Sequence, residues 1–386
     1  MFARRMEVLG TETAFEVLAK ARALEAQGKH IVHLEIGEPD FNTPENIKEA
    51  AIQAIKDNFS HYTPSAGIPE LRAAVASSFN ASRGTCMAPE NVVITPGAKP
   101  IIFFGILACV NPGDEVIFPN PGYPIYESMI NFVGGKAVGL PLLEEHDFRF
   151  SVDTLKKLIT KKTRMIVINS PQNPTGGMLE KEDLEEIAAL AVKHDLWVMS
   201  DEAYSAIYYE GKHHSIMAEP GMDERTIMLD GFSKTYAMTG WRLGYGVMPK
   251  ALAVHMTRLM TNSNSHTATF IQKAGVVGLE GSQDSVRKMV AEFKKRRDII
   301  IDGLNKIPGM SCRLPKGAFY AFPNVKKLPM QSPELADYLL NEGGVACLSG
   351  TCFGSQGAGY LRFSYANSVE NIREGLKRVK EAVGKL

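Results

Sequence analysis

The sequence predicts an α/β protein with a large, mostly parallel, helix-covered sheet and a smaller α+β domain beside it. Three observations carry this. From residue 91 to about residue 230, short apolar runs alternate with turns and helical stretches, the rhythm of parallel strands joined by crossover helices. The stretch from Arg164 to Asn169, RMIVIN, holds a continuous apolar run, as expected of a strand buried on both faces. After about residue 285 the rhythm changes to a long helix, short strands and a final helix. The expected divisions are 1–45 as an N-terminal segment joining the small domain, 46–285 as the large domain and 286–386 as the small one.

Taken in order, residues 12–27 carry a helical pattern with Phe15, Leu18, Ala19 and Leu24 on its apolar face. Ile31 to Ile36 reads as a short strand running into the breaker-rich turn Gly37-Glu38-Pro39-Asp40-Phe41. Thr43 and Pro44 open the next helix, the threonine as cap and the proline at its first position. His61 to Gly67 is a loop, and Pro69 starts a helix reaching about Arg83. Val92 to Thr95 is a strand, Pro96-Gly97-Ala98-Lys99 a turn, and a helix follows to about Cys109. Asp114 to Phe118 is a strand, with a helix beginning near Tyr123-Pro124. Residues 164–169 are a strand, 170–177 a loop and 180–194 an amphipathic helix. Two more strands run from Leu196 to Ser200 and from Ile227 to Asp230. Beyond 285 a long helix carries the basic run Lys294-Lys295-Arg296-Arg297. Strands follow near Phe319–Phe322 and Tyr360–Ser364, and the last helix starts at Glu370.

Composition bounds the function. The 386 residues balance 43 basic against 43 acidic side chains. That leaves no electrostatic footprint for nucleic acid or an anionic membrane. The basic run at 294–297 therefore reads as the solvated face of a helix. No apolar run approaches the ~18 residues of a membrane span, and the N-terminus lacks the apolar core of a signal peptide. The five cysteines form no C-x-x-C pair, and reduced thiols in a cytoplasm account for them. His213-His214 lacks metal-site spacing, as do His30 and His33, so no metal is expected.

The residues able to carry chemistry sit where strands end. In Asp230-Gly231-Phe232-Ser233-Lys234, a lysine follows a strand beside a serine and eight residues before Arg242. In a dry site near other cations such a lysine loses its proton readily and becomes a nucleophile. Ser233 and Arg242 offer a hydroxyl and a guanidinium fork to a phosphate. A nucleophilic lysine with a phosphate clamp describes a site for pyridoxal 5'-phosphate, against the plainer reading of a solvated lysine. Gly97-Ala98-Lys99 can present backbone N–H groups at a helix start, or serve only as a turn. Asn173, in a loop stiffened by Pro171 and Pro174, presents an amide. Asp201 ends a strand, where a buried carboxylate needs a cation or caps a helix. Tyr123 can stack on a flat ring or belong to the core. Arg362, in an apolar strand, needs an anion, either a substrate carboxylate or an internal acid.

Together these motifs resemble the class I aminotransferases of fold type I, pyridoxal phosphate enzymes, and within them the prokaryotic aspartate, aromatic and alanine aminotransferase-like group. The resemblance runs from Gly37 in IGEPDF, through the Asn-Pro-Thr-Gly loop and the Ser-Lys with its downstream Gly-x-Arg-x-Gly, to Arg362 in LRFSYANS. It implies Lys234 as Schiff-base lysine, Asp201 opposite the ring nitrogen, and Asn173 and Tyr204 on the ring hydroxyl. It implies Tyr123 against the ring, with Ser233, Arg242 and the Gly97-Ala98-Lys99 backbone on the phosphate. Tyr62 would reach the phosphate of a partner subunit in a homodimer with shared sites. Arg362, with the Gly37 backbone and Asn173 beside it, would hold the substrate α-carboxylate.

The implied activity moves an amino group between an L-amino acid and a 2-oxo acid by a ping-pong scheme, with 2-oxoglutarate as acceptor. The same fold and cofactor serve C–S β-lyases and decarboxylases. A regulator of transcription would need a DNA-binding domain ahead of the IGEPDF turn, which begins only about 35 residues in. Intact Lys234 and Asp201 speak against a binding protein without catalysis. The stretch from Leu9 to Phe15 lacks the lysine and the Pro-Ser-x-Thr pattern of several aspartate-type relatives and offers Glu12 and Phe15 instead. A lid of that kind favours neutral or aromatic side chains, with aspartate aminotransferase proper as the alternative.

Overall fold

The computed structural model describes residues 2–386. Helix α1 (Thr13–Glu25) leads to strand β1 (Val32–His33), which is shorter than the run of 31–36. It pairs in parallel only where Val32 and His33 meet Val345 and Ala346. Two residues later the Glu35 carbonyl accepts a side-chain bond from Arg362 instead of a ladder bond. Helix α2 (Glu45–Lys56) starts after Pro44, and Thr43 does not cap it. The threonine hydroxyl donates to the Ala237 carbonyl at 2.8 Å, so it fastens the helix entry to the loop after Lys234. Helix α3 (Pro69–Arg83) opens on its proline and ends at Gly84, whose φ of 71° closes it in the left-handed conformation.

The main sheet follows. Strand β2 (Val92–Thr95), α4 (Lys99–Cys109), β3 (Glu115–Asn120) and α5 (Ile125–Phe132) come first. Next are β4 (Lys136–Pro141), α6 (Val152–Leu158), β5 (Thr163–Asn169), α7 (Lys181–His194) and β6 (Trp197–Asp201). The set closes with β7 (Thr226–Gly231), the single turn α8 (Phe232–Thr235) and β8 (Gly244–Val247). The strand order is β2-β8-β7-β6-β5-β3-β4, parallel throughout except that β8 runs antiparallel to both neighbours. Apolar clusters cover both faces, with Val167 and Leu229 in one and Ile166 and Val198 in the other. Such side chains each contribute roughly 1.5–3 kcal/mol on burial. The parallel strands β5 and β6 end in register, Asn169 beside Asp201, and β7 ends nearby at Gly231. That carboxyl edge of the sheet is where an open α/β fold leaves its crevice.

Helices α9 (Lys250–Ser263), α10 (Thr269–Glu280) and α11 (Asp284–Asn305) come next. The basic run on α11 is not one solvated face. Lys294 and Lys295 are exposed, but Arg296 and Arg297 are buried. Arg296 pairs with Asp40 at 2.6 Å and lies 4.8 Å over the Phe41 ring. Arg297 donates to the Pro315 carbonyl at 3.0 Å and covers Tyr209. Consecutive helical residues point in different directions, so four in a row cannot share a face. The arginine stems are apolar enough to pack.

The chain ends with β9 (Tyr320–Ala321), α12 (Ser332–Asn341), β10 (Val345–Ala346), β11 (Leu348–Ser349), β12 (Leu361–Ser364) and α13 (Val369–Val383). Strands β11, β12 and β9 form an antiparallel sheet in that order. Val32 and Leu34 pack in one cluster with Phe293, Leu335, Val345 and Ile372, so the N-terminal segment shares its core with the C-terminal elements. Among the described residues, no helix is long and apolar enough to cross a membrane. The five cysteines are free.

Candidate active site

A cavity of about 570 Å³ opens along the carboxyl edge of the sheet. Strand β7 delivers Lys234 to it through the one-turn helix α8. The lysine forms part of the wall and is half-buried. Its Nζ donates to the Gly37 carbonyl at 2.5 Å and lies 5.9 Å from the Phe319 ring centre. Burial lowers its pKa to about 8, with Arg362 and Arg242 adding to the fall against the opposing pull of Glu38 and Glu12. A lysine so placed carries an appreciable share of free amine near neutral pH.

Asp201, at the end of β6, is buried and has no cation within ion-pairing distance among the described residues. Its Oδ2 accepts from the Tyr126 hydroxyl at 2.6 Å and its Oδ1 from the Ala203 N–H at 3.1 Å. Burial raises its pKa to about 6, and those two hydrogen bonds only partly oppose the rise. A buried carboxylate in this state gains by meeting a positive charge.

Across the cavity, the start of α4 meets the loop carrying Arg242. Gly97 has φ +85°, and a side chain there would collide with the Arg242 guanidinium. A side chain at Gly244 would collide with the Gly97 and Ala98 backbone. Both positions therefore need glycine for the loop and the helix start to approach. Arg242 itself is in the left-handed region, φ 56°, with Nη1 donating to the Thr239 carbonyl at 2.8 Å and Nη2 to the Pro96 carbonyl at 3.3 Å. Ser233, Ala98 and Lys99 line the same end.

Arg362 comes from β12 and is 3% exposed. Its Nη1 donates to Asn173 Oδ1 at 3.3 Å, Nη2 donates to the Glu35 carbonyl, and Nε has no partner. The guanidinium is stacked 4.5 Å from Tyr320 and 5.1 Å from Phe353. No carboxylate pairs with it among the described residues, so the internal-acid reading does not hold. Asn173 is fixed through its N–H on Asn169 Oδ1 at 3.0 Å. The Tyr204 hydroxyl shares a 2.6 Å bond with that of Tyr320. Tyr123 lines the cavity and donates to Glu12 Oε1 at 2.8 Å. Lys99 forms an ion pair with the same carboxylate.

The expected residues line this cavity except Gly97, which abuts the Arg242 guanidinium beside it, and Tyr62. That side chain is 90% exposed, edge-on to His266, and absent from the lining of its own chain's cavity. Sequence reasoning missed Tyr126, Tyr320 and the Glu35 carbonyl. A tyrosine in an apolar strand or helix signals that its hydroxyl needs a partner, but not which one.

The donor set fits one cofactor. A carboxylate without a cation suits a pyridine nitrogen, a lysine of depressed pKa suits an aldehyde, and a guanidinium, a hydroxyl and a helix start suit a phosphate. Fold and site together define a pyridoxal phosphate enzyme. Residues 29–379 match the family model described as "Aminotransferase class I and II", and the chain belongs to that family. It is 40% identical to aromatic-amino-acid aminotransferase 2 of Thermococcus litoralis, over 98% of this chain and 97% of that one. It is 42% identical to an aspartate aminotransferase of Pyrococcus abyssi, over 92% of each. The aspartate aminotransferase of Thermus thermophilus solved with maleate superposes with a TM-score of 0.94 at 38% identity, over 99% of both chains. The protein is an aminotransferase dependent on pyridoxal phosphate.

Proposed function

We propose that the enzyme moves an amino group from an L-amino acid to 2-oxoglutarate by a ping-pong scheme, with donors whose side chains are neutral or aromatic. The observation that carries the reading is a buried, cation-free Asp201 in one cavity with a lysine of depressed pKa and an arginine free of carboxylate.

On this reading Arg362 binds the substrate α-carboxylate as a fork, with Asn173 and the Gly37 backbone beside it. Lys234 Nζ, free amine in part near neutral pH, takes the Cα proton. When bound, pyridoxal phosphate supplies the electron sink for the pair that the departing proton leaves behind. Asp201 holds the positive ring nitrogen. Asn173 and Tyr204 bond the ring oxygen, and Tyr123 packs on the ring. Ser233, Arg242 and the backbone of Gly97, Ala98 and Lys99 hold the phosphate.

The chain divides functionally at 1–45, 46–285 and 286–386, since Val32 and Leu34 share the core of the last part. It works as a homodimer in which Tyr62 reaches the partner's phosphate site. In support, Tyr62 lies outside its own cavity, and exposed apolar residues gather at Phe2, Met6, Val8 and Leu9 and, just before Tyr62, at Ile52, Ile55 and Phe59. Free cysteines agree with a cytoplasmic setting.

The test is an amino-donor panel on purified enzyme, with 2-oxoglutarate and pyruvate as acceptors. Stoichiometric formation of a new amino acid and a new 2-oxo acid is expected. Release of ammonia and thiol from cysteine conjugates, without amino transfer, would instead assign a C–S β-lyase.

A further inference from the structure

We propose that Glu12 selects the substrate side chain by holding Lys99 in a neutral ion pair, and so discriminates against a second carboxylate. The inference rests on the transaminase reading above. Four side-chain cations line the cavity: Lys99, Lys234, Arg242 and Arg362. Three have tasks on that reading, and Lys99 is the remaining one. Its Nζ pairs with Glu12, and the same carboxylate oxygen accepts from Tyr123 at 2.8 Å.

Glu12 is the N-cap residue of α1, but its side chain is too long for the short capping bond that Ser, Thr, Asp or Asn makes there. Glu12 makes no such bond and instead lines the cavity, where it meets Tyr123. The segment behind it is pinned, because the Gly10 N–H donates to Ser128 Oγ at 2.9 Å. Its neighbours Ala14 and Phe15 add only apolar surface. A distal carboxylate entering here competes with Glu12 for Lys99 and sits beside a like charge, a repulsive element of the kind that sets specificity. A neutral or aromatic side chain leaves the pair whole. For 2-oxoglutarate the same competition raises the concentration needed rather than blocking turnover.

Glu12→Gln keeps an acceptor for Tyr123 and removes the charge. The readout is the apparent second-order rate constant of each donor's half-reaction on the holoenzyme, followed by absorbance without acceptor. The aspartate-to-phenylalanine ratio is expected to rise ~10-fold or more. The dissociation constant of maleate, an unreactive dicarboxylate measured by calorimetry, is expected to fall with it. Adding Lys99→Met to Glu12→Gln should erase the gain. An unchanged ratio, or a gain that survives Lys99→Met, overturns the role of Glu12 and leaves the transaminase reading standing. Wild-type enzyme that turns over no donor in the panel overturns that reading and this inference with it.

Discussion

Lys234 and Asp201 show how position sets the chemistry of ordinary side chains. Burial lowers the lysine to about 8 and raises the aspartate to about 6, each toward its neutral form. Capture of pyridoxal phosphate by the apoenzyme should therefore speed up as pH rises through about 8, where Lys234 sheds its proton. Borohydride should fix the pyridoxyl group on Lys234, and a label on Lys99 would reject the assignment. Lys234→Ala should keep cofactor affinity within reach of titration yet lose turnover by ~10³-fold or more, the scale of removing a reacting group. Asp201→Ala should depress turnover far more than cofactor retention, since its charge matters most when electrons enter the ring. Comparing kcat with the cofactor dissociation constant checks this, and near-normal kcat would contradict it. These residues were legible because strand-end positions and neighbouring Ser, Gly and Arg restrict what a lysine or aspartate can be doing. Tyr126 and Tyr320 were not. Their hydroxyls bond Asp201 and Tyr204 across 75 and 116 residues of chain, and no local pattern carries that information.

At the scale of elements, the sequence marked α3 and β2 with their observed ends, because proline, glycine and β-branched runs act locally. It gave no sign of β4 or β8. Strand β8 reads Gly-Tyr-Gly-Val, in which two strand-poor glycines interrupt Tyr and Val, and it is ordered by fitting between β2 and β7. Its first glycine lies against the Gly97-Ala98 backbone. Gly244→Ala should push α4's start away from Arg242, a strain of ~1–3 kcal/mol. Cofactor affinity should fall about tenfold or more for the same reason, as fluorescence titration of the apoenzyme would measure. The segment after β1 has its own anchor. His33 Nδ1 meets the fully buried Glu35 carboxylate at 2.8 Å and Nε2 meets Glu25 at 3.1 Å. The hydrogen bond to Glu35 raises the His33 pKa to about 9, against the opposing effect of burial. The folded value lies above the ordinary 6.5. The pair's contribution is thus full below about pH 6.5 and lost as pH rises through about 9. Tm should fall between those limits more steeply in the wild type than in His33→Gln; parallel curves would show that the pair is screened.

The whole molecule brings together residues from both ends of the chain. Gly37, Lys234 and Arg362 line one cavity, so the site exists only once the N-terminal segment, the sheet and the C-terminal elements have packed. If the working unit is a dimer with shared sites, mixing Tyr62→Phe subunits with Lys234→Ala subunits should restore part of the activity, because one hybrid site receives both wild-type groups. No recovery in heterodimers isolated by differential tags would reject sharing. The sheet order has a further consequence, in the time domain of synthesis. Strand β2 pairs only with β8 along its edge of the sheet, and the two lie about 150 residues apart. At a ribosomal rate of ~5–20 residues per second, β2 waits roughly 8–30 s for its neighbour. Arg242 and Gly244 emerge together at the end of that interval, whereas Arg362 is still more than a hundred codons away. The nascent chain thus completes its own share of the end proposed to hold the phosphate first, and the end proposed to hold the carboxylate later.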